Sequence, residues 1–411
     1  EPKPVKSKDY NVIMSVCSLW HEGTHYGWDA VSPYDECTPL MGYYDEGIPE
    51  SADWETKMMV EHGIDAFQYC WFAPSSSAYD NPIKTPKLAW SQHDGYFYSE
   101  YSDMIKFCFM WENAGWAWAK EMSLEQFKTY IWDYWVEWYF TDPRYLVVDN
   151  KPVLHIYKPE NFVKTMGGEA EAKKAMDFMR EDIKNYGFDG IIILFQESGY
   201  KLETVREYDA LGADGIMTYA WGADSYDPAF FTGKYKPALS SIKSLKTDFY
   251  IVPTVGTGRN ILGWNNVRTP LSSVEEHKEV MKYIAEVTKQ QNVPGNMIYF
   301  GTWNEFGEGH WLAPSGLNGF GYADVWREVI NGNTTVHDDV TPTINQMERI
   351  CNLYNDARTP IRSQLKEKNV IPTKTIDSFD FLNGYVPEIG TYGVPGQWSK
   401  DRLVTCEVQE T

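Results

Sequence analysis

Largely apolar runs of strand length recur along the chain, continuous rather than alternating with polar residues, with amphipathic stretches between most of them. They run from Asn11 to Ser18, Ala66 to Trp71, Ile105 to Trp111 and Val153 to Tyr157, then from Ile191 to Phe195, Gly215 to Tyr219, Tyr250 to Val255 and Ile298 to Trp303. A strand with no polar face is buried on both sides, which is the pattern of a parallel sheet covered by helices. The spacing predicts those helices at Pro49 to His62, Leu124 to Trp138, Glu169 to Tyr186, Leu202 to Leu211, Pro237 to Leu245, Ser273 to Gln290 and Asp324 to Ile330. Ser272 or Ser273 ahead of Glu275 and Glu276 reads as an N-cap followed by acids. Gly63, Gly187 and Asp189-Gly190 close helices just before strands. Eight strand–helix repeats predict an α/β fold, a (β/α)8 barrel, over residues 1–340. A doubly wound sheet is the alternative, but no Gly-rich phosphate loop follows the first strand. Residues 341–411 read as a C-terminal extension packed on the barrel: one helix from Thr341 to Asp356, then a polar, glycine- and proline-containing tail.

Charge and composition narrow the partners. A formal net charge of −21 over 411 residues repels phosphate and excludes a nucleic-acid partner. No stretch reaches the apolar length of a membrane-spanning helix, so the chain reads as not an integral membrane protein. Cys17, Cys37, Cys70, Cys108, Cys351 and Cys406 are scattered, with no C-x-x-C pair for zinc. The chain opens at Glu1 without methionine, which fits removal of an export signal as well as a trimmed boundary. With 17 Trp and 28 Tyr, it has the acidic, aromatic make-up of many secreted, periplasmic or outer-surface proteins that stack rings on sugars.

In such a barrel the chemistry sits at the C-terminal strand ends. The residues there are Trp20 and His21 after strand one, Trp71 after two, Trp111, Glu112 and Asn113 after three, and Tyr157 after four. Glu197 follows strand five, Tyr219 and Trp221 strand six, and Arg259 and Trp264 strand seven. Strand eight leads into Trp303-Asn304-Glu305-Phe306-Gly307-Glu308-Gly309-His310. Rings beside hydrogen-bonding groups suit a glycan, whose C–H faces stack while its hydroxyls bond. Glu305 and Glu308 are the expected catalytic pair, one carboxyl protonated and the other ionised, as glycosidic cleavage requires. A pair of surface acids on a polar loop is the plainer reading. Trp20, His21, Trp71, Trp111, Asn113, Tyr157, Glu197, Tyr219, Trp221, Arg259, Trp264, Trp303, Asn304 and His310 are expected sugar contacts, with Tyr44 added from the first loop. His21-Glu22-Gly23-Thr24-His25 satisfies the H-E-x-x-H zinc pattern. That pattern works on a helix, and here it follows a strand and contains Gly23, so neither metal nor cofactor is expected.

The stretch from Trp303 to Gly309 resembles the signature of the glycoside hydrolase family 99-like (WbsX-type) proteins, relatives of the endo-α-mannosidases. Gly42-Tyr43-Tyr44-Asp45, His62-Gly63-Ile64-Asp65-Ala66-Phe67 before Trp71, Trp111-Glu112-Asn113, and Asp142-Pro143-Arg144-Tyr145 before Asn150-Lys151-Pro152 are similar to the same group. The resemblance covers residues from about 10 to 330. It implies a (β/α)8 barrel acting on glycans with retention through a 1,2-anhydro sugar. It implies Glu305 as the base for the 2-hydroxyl, and Glu308 as general acid and then base for water. Phe306-Gly307 departs from the bulkier Trp-His pair of the endo-mannosidases. Some relatives are glycosyltransferases of polysaccharide loci. The expected function is therefore a glycoside hydrolase, the alternatives being a sugar-binding barrel without catalysis or a glycosyltransferase.

Overall fold

The computed structural model describes residues 1–6, 9–17, 20, 28, 31, 34–73, 95–114, 120–198, 201–219, 233, 237, 240, 248–260, 271–291 and 293–332. The expected helices from Pro237 to Leu245 and Thr341 to Asp356, the H-E-x-x-H stretch and the whole 341–411 extension lie outside the described residues, apart from the isolated positions 237 and 240.

The parallel strands are β1 (Asn11–Ser15), β2 (Ala66–Phe72), β3 (Lys106–Glu112), β4 (Lys151–Ile156), β5 (Ile192–Gln196) and β6 (Gly215–Met217). They continue in β7, formed by Tyr250–Ile251 and Thr254–Val255, and β8 (Met297–Phe300). Neighbours in sequence are neighbours in the sheet, and β1 pairs with β8 as well as β2. Strand β7 closes the ring. Its first half pairs with β6 at Gly215↔Tyr250, and its second half pairs with β8 at Tyr299↔Thr254. The pivot is Val252-Pro253, where Val252 N–H donates to the Ile216 carbonyl and the Pro253 carbonyl accepts from Tyr299 N–H. The proline lacks an N–H, so β7 changes partners where a ladder bond is absent anyway. The result is a (β/α)8 barrel.

Helices cover the barrel: α1 (Pro49–Val60), α2 (residues 124–140, with two π-helical turns), α3 (Pro159–Thr165), α4 (Glu169–Asp182), α5 (Leu202–Leu211), α6 (Val274–Gln291) and α7 (Gly321–Asn331). The cap of α6 is Ser273, whose N–H donates to Glu276 Oε2 at 2.8 Å while Glu276 N–H donates back to Ser273 Oγ at 3.1 Å. This reciprocal box satisfies two backbone donors at the helix start. Among the described residues no helix is long and apolar enough to cross a membrane.

Strand alternation sorts the side chains between two environments. Register pairs Gln68, Cys70 and Phe72 with Cys108, Met110 and Glu112 on one face, and Phe67, Tyr69 and Trp71 with Phe107, Phe109 and Trp111 on the other. The first set looks into the barrel, where Ser15 Oγ donates to Gln68 Oε1 at 2.6 Å and the Tyr299 hydroxyl meets His155 Nε2. Burial pushes His155 down to about 3, so this ring is neutral and the interior carries no charge there. The second set packs outward, Phe67 and Tyr69 on Tyr96 and the rest on α2, with Trp135 lying 5.1 Å from Trp71 and 5.4 Å from Trp111, ring centre to ring centre.

Candidate active site

Past β8 the chain makes a hairpin, β9 (Asn304–Glu305) against β10 (His310–Trp311), with Glu305 opposite His310. Its base is tied down from several sides. Trp303 N–H donates to the Ser15 carbonyl, Asn304 Oδ1 accepts from Cys17 N–H at 2.7 Å, and Trp20 Nε1 donates to the Asn304 carbonyl at 2.6 Å. Beneath it, Glu55 on α1 accepts from the Tyr44 hydroxyl at 3.0 Å and Trp303 Nε1 at 3.2 Å. Thr302 accepts from Glu305 N–H at 3.2 Å, and its own hydroxyl donates to the His310 carbonyl.

Gly309 sets the position of the second acid. Its φ of +67° is left-handed, and a Cβ there would lie 2.0 Å from the Asn260 carbonyl oxygen. That close approach lets Asn260 N–H donate to the Gly309 carbonyl at 3.2 Å. The neighbouring side chains are thereby set side by side, Arg259 Nη2 lying 3.2 Å from Glu308 Oε2. We expect Gly309→Ala to separate the β7 loop from the hairpin and to melt several degrees below the parent, since strain and clash together cost on the order of 2 kcal/mol. A melting curve identical to the parent's would mean that the loop and hairpin do not meet at Gly309.

The two acids hold their protons differently. Glu305 is 3% exposed, and burial, then the nearby Glu308 charge, push its carboxyl up to about 8. The Tyr219 hydroxyl, donating to Oε2 at 3.3 Å, and the Cys17 thiol only partly offset this. Burial also raises Glu308, but His310, with Nε2 3.7 Å from Oε2, and Arg259 outweigh it and hold Glu308 below the usual range. Around this pair lie Tyr157, pushed up to about 12 by burial and then by Glu112, and Cys70, raised by burial and by the charges of Glu112, Glu305 and Glu46. Burial raises Glu112 to about 7, against the Ala114 amide and Lys158. Glu46 is 0% exposed, neither carboxyl oxygen is hydrogen-bonded among the described residues, and burial and Glu55 push it well above the carboxylate range. Among the described residues no group of three or more His, Cys, Asp or Glu is placed to hold a metal ion.

Of the residues expected from sequence, the fold brings Glu305, Glu308, Tyr157, Tyr219, Arg259 and His310 to one mouth. Several others are corrected. Trp71 and Trp111 face α2 and are core, because β2 and β3 turn those positions outward. Trp20, Trp303, Tyr44 and Asn304 are buried ties beneath the hairpin rather than exposed platforms. Asn113 is fully buried and bonds the Lys158 backbone in both directions, fastening the end of β3 to the start of α3. Glu197 accepts from the Tyr208 hydroxyl on α5 at 3.3 Å, on the helix side. Phe306 packs among Trp20, Trp28 and Trp311, so the departure from the Trp-His pair is made in part inside the core. His21, Trp221 and Trp264 lie outside the described residues. Glu112, Glu46, Cys17 and Cys70 were not among the expected contacts. For Glu112 and Cys70 the signal was present, since Phe107, Phe109 and Trp111 form an aromatic stripe of period two that leaves Glu112 on the opposite face. Trp111→Ala should cost about 3–5 kcal/mol of stability, as truncation of a buried core ring does. Chemical denaturation measures it, and a loss under 1 kcal/mol would return Trp111 to the surface.

Residues 34–250 match the family model described as Glycosyltransferase WbsX. Two curated proteins from strains of Xanthomonas campestris pv. campestris, both named Uncharacterized protein WxcX, are 22% identical over 325 residues. The match takes in 71% of this chain but 42% of theirs, so the chain spans less than half the length of those relatives. Among solved structures, the family 99 endo-alpha-mannosidase from Bacteroides thetaiotaomicron in complex with bis-tris propane aligns with a TM-score of 0.52 and 18% identity, over 75% of this chain and 88% of that one. A second structure of the endo-alpha-mannosidase from that organism aligns with a TM-score of 0.52 and 16% identity, over 78% and 98%. At these identities the likeness is one of fold.

Proposed function

Because this chain belongs to the WbsX family, we propose that it is a retaining glycoside hydrolase acting on a poly- or oligosaccharide, with Glu305 and Glu308 as its catalytic pair. The observation that carries the reading is the pair itself: two carboxyls on one hairpin at the C-terminal mouth of a barrel, one raised to about 8 and one lowered. Such a pair carries one proton across the neutral range, the protonation state that glycosidic cleavage needs.

In the resting site that proton sits on Glu305. We assign the active form to the other arrangement, with Glu305 ionised and Glu308 protonated. Glu308 is the more exposed acid, its side chain 24% accessible, so it can reach a departing sugar and then an entering water. Glu305 lies deep, where the 2-hydroxyl of a bound sugar can reach it and water is not required. A carboxylate of raised proton affinity is also the better base for a weakly acidic hydroxyl. In the first step Glu305 takes the 2-hydroxyl proton, O2 attacks C1, and the C1–oxygen bond breaks as the leaving oxygen takes the proton of Glu308. In the second, Glu308 takes a proton from water, the water oxygen bonds to C1, the C1–O2 bond opens, and O2 recovers its proton from Glu305. The configuration at C1 is inverted twice and so retained. No cofactor enters these steps. Secretion, or placement in the periplasm or on the outer surface, belongs to the same reading, where such a polysaccharide would be met.

The family's description as glycosyltransferases favours one rival, transfer from an activated sugar donor. A panel of polysaccharides separates the two. Hydrolysis releases reducing ends that the Glu308→Gln protein does not release. Consumption of a nucleotide sugar with no reducing ends from any glycan would replace the hydrolase reading with the transferase.

A further inference from the structure

The bond-breaking steps leave one acid of the mouth unused. Glu112 ends β3 on the inward face, two residues along from Met110, and its side chain is partly exposed. One carboxyl oxygen accepts from Ala114 N–H at 3.2 Å, and among the described residues the other makes no hydrogen bond. Tyr157, the residue after β4, is its neighbour, held there by Tyr157 N–H donating to the Trp111 carbonyl at 3.0 Å. The Tyr157 ring stands edge-on to Tyr219 at 6.0 Å, and Tyr219 in turn donates to Glu305. Tyr157 therefore bridges the space between Glu112 and the catalytic pair, and the charges of Glu112, Glu308 and Arg259 all act on it. A second feature of the same mouth is Glu305 Oε1, which is buried and, among the described residues, has no hydrogen-bond partner. The mouth thus presents carboxyl oxygens without a partner among the described residues, and a polyol supplies both donors and acceptors.

We propose that Glu112 and Tyr157 form a hydroxyl-binding wall that holds adjacent hydroxyls of the sugar lying between Glu305 and Glu308, so that Glu112 is a specificity-determining residue. This rests on the proposed glycan-binding role of the mouth. A carboxylate can accept from two neighbouring hydroxyls at once, and hydrogen bonds to a charged group are the stronger kind. A site built to bond a hydroxyl also rejects an analogue that lacks it, because the buried acceptor is then left unpaired. The groups facing Glu112 are the Ala114 amide on its own loop, Tyr157 and Lys158 after β4, and Cys70 on β2. Lys158 and the amide favour the charged form and burial opposes it, so the carboxyl titrates near 7. Sugar binding should therefore tighten as pH rises from about 6 to 8.

Ligand-observed NMR with the methyl pyranosides of glucose, mannose, galactose and rhamnose tests this without any turnover. At least one of them should bind the parent protein at pH 8, and bind Glu112→Gln and Tyr157→Phe at least tenfold more weakly. Its affinity for the parent should rise severalfold between pH 6 and 8, with a smaller rise for Glu112→Gln. Glu112→Asp, which keeps the charge, and melting curves of all variants separate lost contacts from lost folding. Binding of none of the four, or equal affinity for the parent and Glu112→Gln, overturns the proposal. Binding through Glu112 without release of reducing ends from any glycan would keep this wall and remove the hydrolase. Turnover by Glu112→Gln at an unchanged KM would do the reverse.

Discussion

Glu308→Gln should cleave its glycan about a thousandfold more slowly than the parent, and Glu305→Gln should be at least as impaired, in line with the loss of one general acid or base. The two variants should part company on a glycoside whose leaving group is an acidic phenol. Such a phenolate departs without a proton, so Glu308→Gln keeps the first step and accumulates behind the second. Glu305→Gln stays inactive, because the 2-hydroxyl proton still has nowhere to go. Rescue of Glu305→Gln in place of Glu308→Gln would exchange the two assignments. The parent's kcat/KM should be bell-shaped in pH. Its alkaline limb should lie near 8, where burial has placed Glu305, and its acid limb below the usual carboxylate range, where His310 and Arg259 hold Glu308. Either allotment of roles gives this same bell, since both need one proton on the pair. The leaving-group experiment distinguishes them and the pH profile does not.

The second large effect is on stability. Glu305 binds its proton more tightly in the folded chain, at about 8, than an ordinary carboxyl at 4.5. Stability from such a group is fully present below about pH 4.5 and is lost as pH rises toward 8 and the buried carboxyl must ionise. Glu305→Gln removes that titration. The variant should therefore gain on the parent as pH rises, by at most about 5 kcal/mol at pH 9, from a shift of about 3.5 units at 1.36 kcal/mol each. That corresponds to a melting temperature higher by about 6 °C at most, at about 2.1 cal/mol/K of unfolding entropy per residue. Asp65, raised by burial to about 6, adds its own slope to both proteins and cancels in the difference. Melting curves of the two proteins that run parallel from pH 5 to 9 would show that Glu305 titrates as an ordinary acid. A dead variant that is the more stable protein is the expected mark of an active site held under electrostatic strain.

Much of the barrel was legible because the signals are local. Each apolar run, from Asn11 on β1 to Met297–Phe300 on β8, carries its own burial pattern, and Ser273 with Glu276 marks a helix start within four residues. The same local reasoning placed Glu305 and Glu308 after the last strand. It erred where facing direction mattered. Trp71 and Trp111 end strands, as a sugar platform would, but strand alternation turns them onto α2 and leaves Glu112 facing the mouth. Trp20, Trp303 and Asn304 adjoin the acids in sequence or space, yet their hydrogen-bonding groups are consumed in fastening the hairpin.

The sequence by itself determined the fold class, the number and order of the strands, and the loop that bears the two acids, because hydrophobic period and chain order are properties of neighbouring residues. Only the tertiary structure decided which strand-end side chains face the mouth and where the proton of the pair resides. Proton affinity depends on burial and on charges a few ångströms away. For Glu305 and Glu308 those neighbours are Cys17, Tyr219, Arg259 and His310, most of them brought in from strands far along the chain.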